Sequence, residues 1–275
     1  MPTNSVSFLG TKNKSSGIFH MSKIVLITGA SSGFGEACAR TYAHAGYSLV
    51  LAARNIDLLS TLSKQLAAQT TVFCEKVDVR NVDSITHFFD SLPIELRAID
   101  ILINNAGLAL GTEPAHEANL DDWENMIDTN IKGLVRITRH VLRNMVARNS
   151  GHIVNVGSIA GSWPYPGGNV YGATKSFVKQ FSRGLRADVL GKNIRVTNIE
   201  PGMSETNFSR VRMKGDDEKA ANVYKGTKPL SAQDIAESIF WATSVPEHVN
   251  INSLEIMPTC QAWGPLSINR EMTDQ

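Results

Sequence analysis

Short runs of β-forming residues recur along this chain, separated by longer stretches with helical spacing, and that alternation constrains the fold more than any other feature. The runs are KIVLITG, YSLVLAAR, TVFCEKVDV, IDILINNAG, HIVNVGS, IRVTNIEPG and NINSLEIMP. KIVLITG is aliphatic without polar alternation, as in a strand buried on both faces. Helical spacing covers Gly33 to His44, Ile56 to Gln69, a segment ending at Leu92, Asn169 to Leu190 and Ser231 to Thr243. Between Asp122 and Arg148, the residues Trp123, Met126, Ile127, Ile131, Leu134, Val135, Thr138, Leu142 and Met145 mark one buried stripe, which predicts a single long helix. Strand–helix alternation of this kind predicts an α/β fold: a doubly wound parallel sheet of about seven strands, helices on both faces, joined by right-handed crossovers.

No repeat or compositional break follows residue 22, so residues 22–275 are expected to form a single domain. Residues 1–21 are rich in Ser, Asn, Lys and Gly without periodicity and read as a disordered extension. Basic and acidic side chains number 27 and 26, which gives no electrostatic reason to expect nucleic acid or an anionic membrane; a small-molecule partner fits better. No apolar run is long enough to span a bilayer. Three scattered cysteines lack disulfide or metal-ligand spacing, pointing to a reducing cytoplasm and no metal site.

In open parallel sheets, ligands bind beyond the carboxyl ends of the strands. Polar residues, a glycine or a proline stand at six such ends: Gly29, Arg54, Asp78, Asn105, Ser158 and Pro201. The first strand runs into TGASSGFG, a strand-to-helix turn in which Gly29 permits the bend. Gly33 and Gly35 would let a pyrophosphate and the helix backbone approach, with Ser31, Ser32 and Phe34 beside them. After the second strand, Arg54 and Asn55 stand where an NAD-selective fold places an acid, so a 2′-phosphate and therefore NADP(H) is expected. Asp78 and Val79 fall at the expected adenine edge. Asn105, Ala106 and Gly107 leave room for a cofactor ribose, and Pro201 and Gly202 close the rim.

Tyr171 and Lys175, four apart on one helix, share a face. A free phenol has a pKa near 10, and an ammonium about 5 Å away would lower it by roughly two units at an effective dielectric of about 20. Ser158, thirteen residues earlier, would bond a substrate oxygen. Asn130 is a poor helix former inside a helical stretch, and its amide is expected to hold a water relaying protons from Lys175.

TGASSGFG, NNAG, Asn130, Ser158 and YGATK together resemble the short-chain dehydrogenase/reductase family, over residues 22 to about 260. The resemblance implies a Rossmann fold, a nicotinamide cofactor and a tetrad of Asn130, Ser158, Tyr171 and Lys175, with a homotetramer as the family's usual assembly. NNAGLALG, GSIAGSWPYPGGNVYGATK, VRMKGDD and HVNINSLEIMP further resemble the branch of NADP-dependent 3-hydroxy acid dehydrogenases. That branch implies a small 3-hydroxy acid or semialdehyde as substrate. It often carries a second arginine where this chain has Asn55. For the substrate's acid group, the loop after Pro201 offers Arg210 and Arg212, with Arg212 preferred. Sulfoacetaldehyde, uncharged carbonyl compounds and a non-catalytic NADP-binding role stay open as alternatives.

Overall fold

A computed structural model of the chain describes residues 22–263. The extension read over residues 1–21 lies outside the described residues, as do positions 264–275. Seven strands appear in chain order: β1 (Ile24–Thr28), β2 (Ser48–Ala53), β3 (Val72–Lys76), β4 (Ile101–Asn104), β5 (Gly151–Val156), β6 (Ile194–Pro201) and β7 (Ser253–Ile256). They form one sheet in the order β3-β2-β1-β4-β5-β6-β7, and every pairing is parallel. Helices α1 (Gly33–His44), α2 (Ile56–Leu66), α3 (Val82–Ser91), α4 (Leu120–Ile127), α5 (Leu134–Arg148), α6 (Asn169–Asp188) and α9 (Ala232–Ser244) cover its faces, while the short α7 (Phe208–Arg212) and α8 (Asp217–Asn222) lie in the β6–α9 connection.

The unalternating apolar strands explain the two covered faces. Side chains of a strand point to opposite sides in turn. In β1, Val25 and Ile27 join a core with Cys38 and Tyr42 of α1, Leu59 of α2, and Ile235 and Ile239 of α9. Ile24 and Leu26 join the other core, with Ile85 and Phe88 of α3, Ile137, Val141 and Met145 of α5, and Leu185 of α6. Burying each such side chain is worth about 1.5–3 kcal/mol, so both faces contribute. The result is the doubly wound, Rossmann-type α/β architecture expected from the alternation. The strand order reverses between β1 and β4, which opens a crevice at their carboxyl ends.

One expected element is broken. The single helix predicted over Asp122–Arg148 is α4 and α5 joined by a π-helical turn, Asp128–Gly133. The extra residue per turn swings Asn130 inward, where it is 1% exposed. It also brings Gly133 against Val79, so closely that a Cβ there would lie 2.6 Å from Val79 Cγ2. The apolar stripe continues across the insertion, so periodicity alone reads as one helix; wider turns of this kind are frequent at functional sites.

Candidate active site

Gly29 leaves β1 with φ of +65°, in the left-handed region where L side chains are strained. Ser32 begins α1 in extended conformation without a side-chain capping bond, so the first-turn N–H groups face the crevice without that partner. Gly29, Ser31, Ser32, Gly33 and Phe34 line a cleft of about 770 Å³. Gly35 does not. It is buried beneath the turn, and a Cβ on it would lie 2.3 Å from the Gly29 carbonyl oxygen. Its glycine therefore serves the seating of α1 on β1 rather than the approach of a phosphate. Asn105 Nδ2 donates to the carbonyls of Thr28 (3.0 Å) and Gly29 (3.1 Å), tying the β4 exit to this turn.

Arg54, Asn55, Asp78, Val79, Asn105, Ala106, Gly107, Pro201 and Gly202 line the same cleft. Arg54 is exposed and makes no ion pair among the described residues. Asn55 is the N-cap of α2, its side chain accepting from Leu58 N at 3.1 Å. Asp78 is held by Arg80, whose Nη2 lies 2.6 Å from Asp78 Oδ2. The hydrogen bonds from Arg80 keep the Asp78 carboxyl below the usual carboxylate range.

Ser158, Tyr171 and Lys175 line the same cleft. The expected electrostatics differ here. Burial pushes the Tyr171 phenol up to about 12, and the Ser158 hydroxyl opposes that rise. Burial also pulls Lys175 down to about 8. Its Nζ donates to the Val156 carbonyl at 2.8 Å and stands 5.8 Å from the centre of the Tyr171 ring. Removal of the phenol from water is the dominant influence on Tyr171, opposed by the Ser158 hydroxyl and more weakly by the Arg212 guanidinium.

Asn130 sits behind the cleft rather than on its wall. Its Nδ2 donates to Leu108 O (2.8 Å) and Thr174 Oγ1 (3.0 Å), and its Oδ1 accepts from Leu108 N at 2.9 Å. Both amide hydrogens are spent on protein atoms, so a relay water would have to bond the second lone pair of Oδ1. The side chain pins the strand-four exit to α6.

The two loop arginines separate. Arg210 points away from the cleft and pairs with Asp217 at 2.8 Å, both being well exposed. Arg212 lines the cleft, with its guanidinium 5.9 Å over the Tyr171 ring and 5.3 Å over the Tyr165 ring. It donates through Nε to Gly111 O, through Nη1 to Tyr165 Oη and through Nη2 to Gly167 O. Three of its five N–H groups are thus engaged, leaving one on each terminal nitrogen.

Sequence reasoning missed Phe208 and the C-terminal wall. Trp163 and Tyr165 line the mouth, and so do Phe208, Gln261 and Trp263. Gln261 Oε1 accepts from Met203 N at 2.7 Å, and the indoles of Trp163 and Trp263 lie 5.9 Å apart. The run GSWPYPGGN, which carries Trp163 and Tyr165, reads from its glycines and prolines as a wall of the substrate pocket, and those two aromatics do line the cleft. Nothing in the sequence linked residues 261–263 to a strand end sixty positions earlier.

The model of the short chain dehydrogenase family matches residues 23–217. The chain belongs to the short-chain dehydrogenase family. It is 53% identical over 248 residues to the NADP-dependent 3-hydroxy acid dehydrogenase YdfG of Salmonella typhi, covering 90% of this chain and 99% of that protein. It is 49% identical over 252 residues to sulfoacetaldehyde reductase 2 of Chromohalobacter salexigens, covering 91% and 100%. Among solved structures, the closed form of a serine dehydrogenase complexed with NADP+ superposes with a TM-score of 0.88 at 52% identity, covering 90% of this chain and all of that one. Among the described residues, no helix is long and apolar enough to cross a membrane.

Proposed function

We propose that this family member catalyses reversible hydride transfer between NADP(H) and a small 3-hydroxy acid or its semialdehyde. The residues fit the cofactor. The turn after β1 offers uncovered helix N–H groups, Gly29 and Gly33 remove side chains from that face, and Arg54 is a cation with no ion pair among the described residues, suited to a 2′-phosphate. Relatives named as NADP-dependent support the same choice. Bound there, NADP(H) supplies or takes up the hydride.

The chain's own residues handle the oxygen. Tyr171, held as a neutral phenol, donates its proton to the substrate oxygen in the reducing direction. Ser158 bonds the developing alkoxide. Lys175 holds the floor of the site against the Val156 carbonyl, and Asn130 fixes the backbone at Leu108 behind it. The observation that carries the substrate class is Arg212 above Tyr171, with one N–H free on each terminal nitrogen, an arrangement suited to a carboxylate. A sulfonate would meet the same donors. The apolar mouth formed by Trp163, Val211, Val223 and Trp263 favours a second reading, uncharged carbonyl compounds.

The deciding experiment follows NADPH absorbance with malonic semialdehyde, sulfoacetaldehyde and a neutral ketone, and NADP+ reduction with serine, repeating each with the non-phosphorylated cofactor. Preference for the two anionic aldehydes supports the acid reading; preference for the ketone replaces it. Family analogy suggests a homotetramer acting in the cytoplasm, which gel filtration with light scattering and cell fractionation would test.

A further inference from the structure

Beside the face that carries Tyr171 and Lys175, α6 has a second stripe. Gly172, Ser176 and Lys179 follow one another at spacings of four and three, and all three meet the 3₁₀ turn Ile159–Gly161 that begins at Ser158. A Cβ on Gly172 would lie 3.0 Å from Ala160 O, and one on Gly161 would lie 2.8 Å from the Lys175 carbonyl. Ser176 Oγ donates to Gly161 O at 2.7 Å. Lys179 Nζ donates to Ser162 Oγ at 2.7 Å, at the far end of the turn.

Lys179 is itself held by Glu200, 2.8 Å away on β6, whose side chain is 2% exposed. The second Glu200 oxygen accepts from Asn198 Nδ2 at 2.9 Å and from the Ser253 hydroxyl of β7. The pair thereby connects α6, the turn after β5, β6 just ahead of Pro201, and β7. A pair whose carboxylate is buried while Lys179 stays 24% exposed is weak evidence for stability, because the cost of desolvating the carboxylate offsets most of the attraction. Two apolar side chains would fill the same space. What they would lack is a directional bond to Ser162.

We propose that the Lys179–Glu200 pair is a positioning device for Ser158: it fixes the far end of the turn whose near end is Ser158, and so sets the Ser158 hydroxyl relative to Tyr171. This rests on the hydride-transfer reading above for its catalytic consequence, but not for its structural one. Small displacements of groups around a reacting centre cost up to roughly 100-fold in rate.

The test compares wild type with Lys179→Met/Glu200→Leu, which removes both charges together, and with Lys179→Arg, which retains a donor. In the double variant, amide exchange in a peptide covering residues 157–164 should quicken, with peptides of β1, β2, β4 and α1, which the pair does not touch, unchanged and NADPH affinity preserved. Its kcat for carbonyl reduction should fall roughly 10- to 100-fold with KM nearly constant, whereas Lys179→Arg should keep most of the wild-type rate. Unchanged exchange in that peptide overturns the proposal, whatever the enzyme turns over. Quickened exchange with an unchanged kcat also overturns it. An inactive wild type would instead defeat the hydride-transfer reading, leaving the exchange measurement to decide whether the pair holds the turn.

Discussion

The Lys175 ammonium and the Tyr171 ring are 5.8 Å apart, yet the lysine spends its hydrogen bond on the Val156 carbonyl rather than on the phenol. Burial leaves the phenol at about 12. Tyr171 is therefore a ready proton donor at neutral pH and must be deprotonated to act as a base. Below its pKa, the phenolate fraction rises tenfold per pH unit. The rate of alcohol oxidation should accordingly climb between pH 7 and 9, while carbonyl reduction should not rise with pH. Initial rates in both directions across that range check this, and a flat oxidation profile would count against Tyr171 as the base. Tyr171→Phe should reduce turnover by at least roughly 100- to 10,000-fold while leaving NADPH affinity within a few fold.

Arg54 faces the cleft without a carboxylate partner among the described residues, and Asn55 beside it is occupied as the cap of α2. The guanidinium is thus the principal group left for a 2′-phosphate. Hydrogen bonds to charged groups are worth about 1.5–3 kcal/mol. Arg54→Asp should weaken NADPH binding by roughly 10- to 100-fold and NADH binding far less. Fluorescence titration with both cofactors measures the difference, and an equal loss would remove Arg54 from the phosphate site.

Much of this site is legible in the chain because each contribution is local. A turn needing positive φ at Gly29, an arginine where an acid would repel phosphate, and a tyrosine and lysine on one helical face can all be read within a few residues. The remainder depends on pairings between distant segments. The π turn at Asp128–Gly133 is invisible to periodicity, since its purpose is a bond from Asn130 to Leu108, twenty-two residues away. Arg210 and Arg212 look equivalent in sequence, and only the folding of α7 turns one toward Tyr171 and the other toward Asp217. Glu200 reads as one more residue before a proline, although it anchors four segments.

That separation of the arginines gives a third prediction. Arg212→Ala removes a cation above Tyr171 and also three bonds that hold residues 111, 165 and 167. It should raise KM for an anionic aldehyde roughly 10- to 100-fold and affect a neutral ketone much less, since charge-assisted bonds are worth about 1.5–3 kcal/mol. Arg210→Ala should leave both substrates within a few fold. Equal losses for the two substrates in Arg212→Ala would make Arg212 a structural latch only.

The final prediction concerns stability. His152 of β5 is 1% exposed, its Nε2 is 2.8 Å from Thr197 Oγ1, and its Nδ1 has no partner among the described residues. Burial, aided by Arg195, pulls its pKa down to about 3. In the unfolded chain an imidazole titrates near 6.5. Between these values the unfolded state binds a proton that the folded state refuses, so stability falls as pH drops from about 6.5 toward 3. At one pKa unit per 1.36 kcal/mol, this one side chain should cost about 2 kcal/mol on going from pH 7.5 to pH 5. A His152→Gln variant will lose some stability at pH 7.5 through its altered packing, but should lose less on further acidification than wild type does. Guanidinium unfolding of both proteins at the two pH values measures this. Identical acid-induced losses would place the sensitivity elsewhere.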